Sequence, residues 1–168
     1  MIYLGIDPGF NGALAAVGDV TAVHSTPCLV RDKGKGTKRE YNVSHMRELL
    51  KDYKRTGVNL RCSLEAVHAM PAKFKTKGVE RRQGVTSMFN MGFGFGIWQG
   101  LLAGLEIPYE LITPQRWKKA MLDGTGKDKE ASRLKALQLF PSLEKELRFK
   151  KDEGRAEALL LAEYLKRY

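Results

Sequence analysis

Four acidic side chains in this chain have the types and spacing to do one kind of chemistry. Asp7 closes the run Ile2-Tyr3-Leu4-Gly5-Ile6-Asp7 and is followed at once by Pro8-Gly9. A carboxylate thus ends a strand beside Gly5, which clears room, while Gly9 allows a sharp turn. An Asp before Pro-Gly also forms turns with no further role. Glu65 stands near the end of a second alternating run, NLRCSLEAV (59–67). Glu153 and Glu157 are four apart on a C-terminal helix face that continues through Leu160, Leu161 and Tyr164. Like charges at that spacing destabilise a helix by a few tenths of a kcal/mol in water and by more when desolvated. Three and four residues beyond Glu157 stand leucines, whereas Glu163 has Lys166 and Arg167 for ordinary surface pairing. The helix dipole accounts for an acid at the helix start such as Glu153, but less well for Glu157. If Asp7, Glu65, Glu153 and Glu157 converge, they form an oxygen-rich cluster suited to hard divalent ions, with no His or Cys needed. Two such ions about 3.5 to 4 Å apart activate a water and stabilise the leaving oxygen in phosphodiester cleavage.

The elements that must position these acids follow from periodicity. Ile2, Leu4 and Ile6 point to one side of the first strand, and Tyr3, Gly5 and Asp7 to the other. GALAAVG (12–18) and VTAVHST (20–26) continue as strands, with Gly18-Asp19 between them, giving an antiparallel meander. The Gly/Lys-rich stretch 31–40 reads as a mobile loop, and 42–57 as an amphipathic helix with Met46, Leu49, Leu50 and Tyr53 on one face and Gly57 as its stop. The run 59–67 is a strand that brings Glu65 to its polar face. From about 79 to 105 the pattern is helical, and Gly92, Gly96, Gly100 and Gly104 make a stripe without side chains for close approach to a sheet or a partner helix. IPYELIT (107–113) is a strand, Pro114 opens a helix, 129–140 is another helix broken by Pro141, and the last runs from about 152 to 167. Strands first, then helix and strand in alternation, argue for an α/β fold with a mixed sheet and helices on both faces.

At 168 residues the chain fits one domain with a real core. No apolar run approaches the roughly 18 residues of a membrane span, and the first residues begin as a strand rather than a signal segment, so an intracellular, soluble protein with no membrane partner is expected. Lys and Arg number 29 against 19 Asp and Glu, a net charge of +10, which favours a polyanion, nucleic acid above all, as partner. Cys28 and Cys62 lie far apart without metal-ligand spacing and read as reduced strand residues.

With these segments in view, the chain resembles the RuvC family of Holliday junction resolvases, within the RNase H-like nuclease superfamily. The resemblance is carried in order by LGIDPG, LEAV, IPYELITPQRWKKAMLDGTGKDKE and GRAEALLLA, spanning nearly the whole sequence. It implies an RNase H-like five-stranded mixed sheet flanked by helices, an antiparallel meander followed by parallel strands, in a single nuclease domain over 1–168. It also implies a magnesium-dependent endodeoxyribonuclease, with manganese able to substitute and two ions per active site. Such an enzyme binds four-way or branched DNA as a homodimer and nicks two opposed strands. The expected compartment is the cytoplasm or another intracellular space that holds DNA, or the host cytoplasm for a phage protein.

The resemblance also assigns residues. Asp7 and Glu65 fall on the family's first two metal-binding carboxylates, and Glu157 falls where many members have Asp, so its longer side chain must retract the metal slightly. Bacterial members place a further acid three residues earlier, which here is Gly154, whereas a four-residue spacing found in some relatives gives Glu153, with Asp152 as the alternate. Lys118 and Lys129 align with basic residues kept close to the scissile phosphate. An aromatic that probes the junction centre is replaced by His68, leaving Met70 or Phe74 to act as the wedge. The loop HAMPAKFKTKGVERR, with Lys73, Lys75, Lys77, Arg81 and Arg82, is the expected junction-reading element, and Lys33, Lys35 and Lys38 of the 31–40 stretch are expected to grip phosphates. The glycine stripe is a candidate for the dimer interface, with packing on its own sheet as the alternative. Rival readings are a broader flap or fork nuclease, a junction-binding module without activity, and an actin-like ATPase, which needs a second such domain.

Overall fold

The structure is a computed structural model that describes residues 1–168 apart from 33, 35, 69–72, 77–78, 83 and 125–129, with the backbone alone described at 73–76 and 79–82. Strands β1 (Ile2–Asp7), β2 (Ala13–Gly18) and β3 (Ala22–Ser25) form the antiparallel meander. Strands β4 (Cys28–Asp32) and β5 (Thr37–Tyr41) pair as a separate hairpin before helix α1 (Val43–Arg55). Strand β6 (Leu60–Glu65) lies parallel to β1, and a second hairpin, β7 (Lys73–Thr76) with β8 (Val79–Arg82), precedes helix α2 (Val85–Gly104). Strand β9 (Tyr109–Ile112), parallel to β6, is followed by α3 (Pro114–Met121), α4 (Ala131–Leu139) and α5 (Glu153–Arg167). The main sheet has the order β3-β2-β1-β6-β9, the five-stranded mixed sheet expected from the sequence.

Alternation in β1 divides the core in two. Ile2, Leu4 and Ile6 are buried with Met46, Leu50 and Tyr53 of α1 and Trp98 and Leu102 of α2. The opposite face of the sheet carries Ala13, Ala15 and Val17 against α3, α4 and α5. Because α5 is covered on nearly every side from Ala156 to Leu165, it is the central helix of that layer. Gly5 permits its position: a Cβ there would lie 2.2 Å from the Ala158 carbonyl oxygen. The hydroxyl of Ser63, on β6, reaches the Leu161 carbonyl of α5 at 3.1 Å, so the helix is bonded as well as packed to the sheet. Lower down, α1 begins where the Asn42 side chain accepts the His45 N–H at 3.1 Å, and it closes on Lys54 and Arg55, which suit the negative end of the dipole.

Three expectations are corrected. The stretch 31–40 is largely a β-hairpin rather than a loop, with Cys28 opposite Tyr41 and Asp32 opposite Thr37. Most of its residues from 29 to 39 are exposed, so no buried face imposes apolar alternation on the sequence. Similarly, 79–82 is strand β8, not the beginning of the long helix, and with β7 it makes the supposed junction-reading loop a hairpin. Finally, the glycine stripe does not pack on the protein's own sheet: a Cβ at Gly92, Gly96, Gly100 or Gly104 would meet nothing within 4 Å. The buried line of α2 is Gly94, Trp98 and Leu102 instead.

Candidate active site

The parallel pairing of β1 and β6 sets Ile6 beside Leu64, so the next residues, Asp7 and Glu65, leave the sheet together at its carboxyl edge. One strand further, Glu65 pairs with Ile112, and the chain then turns at Thr113 into α3, with Pro114 at the helix start. Two consecutive residues of that short helix meet the acids. Trp117 is fully buried and its indole Nε1–H donates to Glu65 Oε1 at 2.9 Å. Lys118 places its ammonium 2.6 Å from Glu157 Oε1. Glu157 comes from the second turn of α5, which Gly5 allows to cross close above Asp7. The Ser132 hydroxyl, on α4, donates to the same Glu157 oxygen at 3.2 Å. At the N-terminal end of α5, a Cβ at Gly154 would lie 2.1 Å from the Asn11 carbonyl, so only glycine lets the helix start against the turn that follows Asp7.

Gathering three carboxylates in a half-buried place raises the cost of ionising them. Asp7 is pushed up to about 7 by burial first, then by the charges of Glu65 and Glu157; the Gly9 N–H and Lys118 offset only part of this. Burial also raises Glu65, with Glu157 adding to it, against the opposing Trp117 hydrogen bond and the Lys118 charge. Burial by itself would lower Lys118, but Glu157, helped by Glu65 and Glu153, holds its ammonium above the usual lysine range. Lys118 is therefore a fixed internal cation whose single charge does not balance three carboxylates.

Of the residues singled out by sequence, Asp7, Glu65, Glu157 and Lys118 are brought together. Glu153 lies one turn before Glu157, exposed, on the wall of the same cleft, and its charge reaches Lys118. Asp152 is turned to another purpose: its buried carboxylate accepts the Phe149 N–H at 2.8 Å and faces Arg155 at 3.7 Å. His68 is exposed just beyond β6, and Lys38 is exposed on β5, 2.9 Å from Glu40. Lys73, Phe74, Lys75, Arg81 and Arg82 lie on the β7–β8 hairpin, where the backbone alone is described. Lys33, Lys35, Met70, Lys77 and Lys129 lie outside the described residues.

Several cleft residues carried no sequence signal of their role. Trp117 and Ser132 belong to the acids only through α3 and α4. Arg39 of β5 donates to Asn11 Oδ1 at 2.6 Å and to the Phe10 carbonyl, and its guanidinium lies 5.2 Å from the Phe10 ring centre. Tyr41 stacks on Phe10 with centroids 4.1 Å apart. The β4–β5 hairpin is thereby tied to the turn that carries Asp7. Together these elements bound a cleft of about 1050 Å³ that holds Asp7 and Glu157 at its centre and is lined by Arg39, Lys118, Lys150, Lys151 and Arg155.

Among the described residues no three His, Cys, Asp or Glu side chains stand close enough together, as placed, to ligate one ion. Donor chemistry nevertheless fits an oxygen-seeking divalent cation: the donors are all carboxylate oxygens, and burial, with their mutual repulsion added, raises Asp7 and Glu65. Among the described residues no helix is long and apolar enough to cross a membrane.

Comparison with known proteins places this geometry. No protein-family model matches the chain. Over 67 residues it is 42% identical to the chloroplastic Holliday junction resolvase MOC1 of Chlamydomonas reinhardtii, a match that takes in 40% of this chain and 8% of that protein. The chain thus spans only a small part of that relative's length. Two structures of Thermus thermophilus RuvC, one of them in complex with a Holliday junction substrate, superpose with TM-scores of 0.51 and 0.52 at 15% and 17% identity. Each alignment covers 99% of this chain and 96% of the other. The chain has the RuvC fold, an RNase H-like mixed sheet flanked by helices.

Proposed function

We propose that this chain is a single-domain, metal-dependent endonuclease that resolves four-way DNA junctions, acting as a homodimer on two opposed strands in a compartment that holds DNA. The observation that carries the reading is the meeting of Asp7 and Glu157 with Lys118 in one cleft, with the Glu65 carboxylate close enough behind them to raise Asp7. The partial identity to a Holliday junction resolvase and the likeness to RuvC with its junction substrate support the choice of DNA.

In this reading Asp7, Glu65 and Glu157 hold magnesium, or manganese in its place, and Glu153 supplies a fourth carboxylate from the cleft wall. When bound, two such ions activate a water and offset charge on the leaving oxygen. Trp117 acts through Glu65, its N–H fixing which carboxylate oxygen faces the cleft. Lys118 brings a cation to the scissile phosphate, where negative charge grows as the bond breaks, and Lys129 joins it there. Arg39, Lys38 and the β7–β8 hairpin bind phosphates away from the cut, with His68, Met70 or Phe74 next to the branch point. Self-association through α2 is supported by its open glycine stripe and by Phe89 and Phe93, exposed and stacked on one another with centroids 5.8 Å apart. A two-fold pair of sites suits a substrate with two equivalent strands.

The test is cleavage of an end-labelled, branch-migratable four-way junction beside a flap and a linear duplex, with magnesium. Paired symmetrical nicks confined to the junction, lost in Asp7→Asn while junction binding persists, are expected. Equal cutting of the flap would make the protein a general branched-DNA nuclease, and tight junction binding without wild-type cutting would leave a binding module.

A further inference from the structure

Outside the acidic cluster, the segment Arg148-Phe149-Lys150-Lys151 poses a question of its own. Phe149 is 52% exposed, although its main chain is firmly held. Its N–H donates to Asp152 Oδ2 at 2.8 Å and its carbonyl accepts the Asp152 N–H at 2.9 Å, which fixes it at the entry to α5. Arg155 braces the same corner, bonding to the Glu146 carbonyl at 3.0 Å and to Ser25 Oγ at 2.9 Å. The ring is thus presented by a rigid backbone rather than trailing from a loose loop.

Around the ring stand cations. The Arg148 guanidinium lies 5.5 Å and the Lys151 ammonium 5.2 Å from its centre. Among the described residues neither has an acidic partner, whereas Lys150 is 2.8 Å from Glu130. Both cations lie over the ring without an acidic partner among the described residues, so a nucleobase can take their place on its face as they swing out to the flanking phosphates. The other exposed phenylalanines among the described residues, Phe89 and Phe93, lie on α2 and stack on each other, with no cation among those residues placed over their rings.

Position gives the platform a purpose. Lys150, Lys151, Glu153, Gly154, Arg155 and Glu157 all line the cleft, and Phe149 immediately precedes them in the chain. From Phe149 to Glu157 is eight residues, a 3-10 turn over Lys150–Asp152 followed by the first turn of α5, a rise on the order of 14 Å or less, or roughly four nucleotide steps or fewer at about 3.4 Å each. Resting on the nuclease reading above, we infer that Phe149 is a stacking platform for an unstacked base of the cleaved strand, a few nucleotides from the cut.

The experiment uses four-way junctions carrying 2-aminopurine at each of the five positions on either side of the cut, bound in calcium to prevent cleavage. Wild type should change the fluorescence of the probe at one or two positions about three nucleotides from the cut. Phe149→Ala should abolish that change and weaken junction binding roughly fivefold to a hundredfold, the effect of losing one stacked base. Phe149→Trp should retain both. Since alanine removes no charge, the dependence of binding on salt should keep its slope, whereas Arg148→Ala combined with Lys151→Ala should lower that slope by about two. An unchanged affinity and probe signal in Phe149→Ala, with wild type still cutting the junction, would overturn the platform and leave the nuclease standing. Failure of wild type to bind the junction at all would overturn both.

Discussion

The two sides of the cleft are built by opposite means. On one side Asp7 and Glu65 are placed by the main sheet, Glu157 by its central helix and Trp117 and Lys118 by the short helix α3, with Trp117 fully buried against Glu65. On the other, the β4–β5 hairpin stands off the sheet with most of its residues exposed, anchored chiefly at its base by Tyr41 and Arg39 against Phe10. In the proposed reading, chemistry that needs fixed geometry falls to the core, and grip on a polyanion to elements that the core does not constrain. The contrast predicts that changes on the first side alter stability and rate together, while changes on the second alter salt-dependent affinity alone.

The largest expected effect comes from Asp7 itself. Its carboxyl is raised from about 3.8 to about 7, so between those values the folded protein binds a proton that the unfolded chain releases. The Asp7 contribution to the stability of the metal-free protein is therefore most favourable below about pH 4, falls as pH rises through the window, and levels off above about 7. Glu65 is raised too and works in the same direction. The cost attached to Asp7 is roughly 4 kcal/mol, or three pKa units at about 1.4 kcal/mol each. Urea unfolding in a chelating buffer at pH 5 and pH 8 should show the fall in wild type and a much smaller one in Asp7→Asn. The mutant, inactive in the proposed nuclease reading, should be the more stable protein at pH 8. A mutant less stable than wild type there would mean that the carboxylate supports the fold instead.

Next in size is the contact of β1 with α5. Gly5→Ala puts a Cβ into the Ala158 backbone, and overpacking of that kind costs about 1 to 3 kcal/mol or more. On the hairpin, Val30 is 65% exposed, and Val30→Ala should stay within about 0.5 kcal/mol of wild type. Denaturant midpoints for the pair measure the contrast directly, and equal shifts would remove it. Trp117→Phe should have an intermediate effect. It keeps an aromatic in the core but withdraws the N–H from Glu65, a bond to a charged group worth about 1.5 to 3 kcal/mol. Single-turnover cleavage should slow by roughly tenfold to a hundredfold with junction affinity unchanged. Loss of affinity with an unchanged rate would show that the indole is only packing.

The same contrast governs what could be read before the fold was known. Strands β1 and β6, with their terminal acids, are legible because burial of one face imposes alternation, and α5 because its apolar run is long. The β4–β5 hairpin is not, since an exposed two-stranded ribbon leaves residues such as Arg31 and Arg39 with no buried face to reveal the pleat. The choice between Asp152 and Glu153 was open for a different reason. Both are acids at a helix start, and only the reciprocal bonds of Asp152 with Phe149 show which one is committed to the backbone. The glycine stripe of α2 had a legible period, but its direction depends on Trp98 and Leu102 filling the core behind it.

The smallest expected effect sharpens the comparison from the hairpin side. Lys38 is exposed and sits 2.9 Å from Glu40, a surface pair worth about 0 to 1 kcal/mol, so Lys38→Ala should leave the unfolding midpoint nearly untouched. If Lys38 meets a phosphate, its removal releases one fewer counterion on binding, and the slope of log affinity against log salt should fall by about 0.9. Lys118→Met offers the control from the other side: it removes one charge as well, but from beside Glu157, where the loss leaves the carboxylates without their internal cation. Its main effect should be on cleavage rate. A salt slope that drops for Lys118→Met and stays put for Lys38→Ala would place the phosphate grip inside the cleft, with the hairpin no part of it.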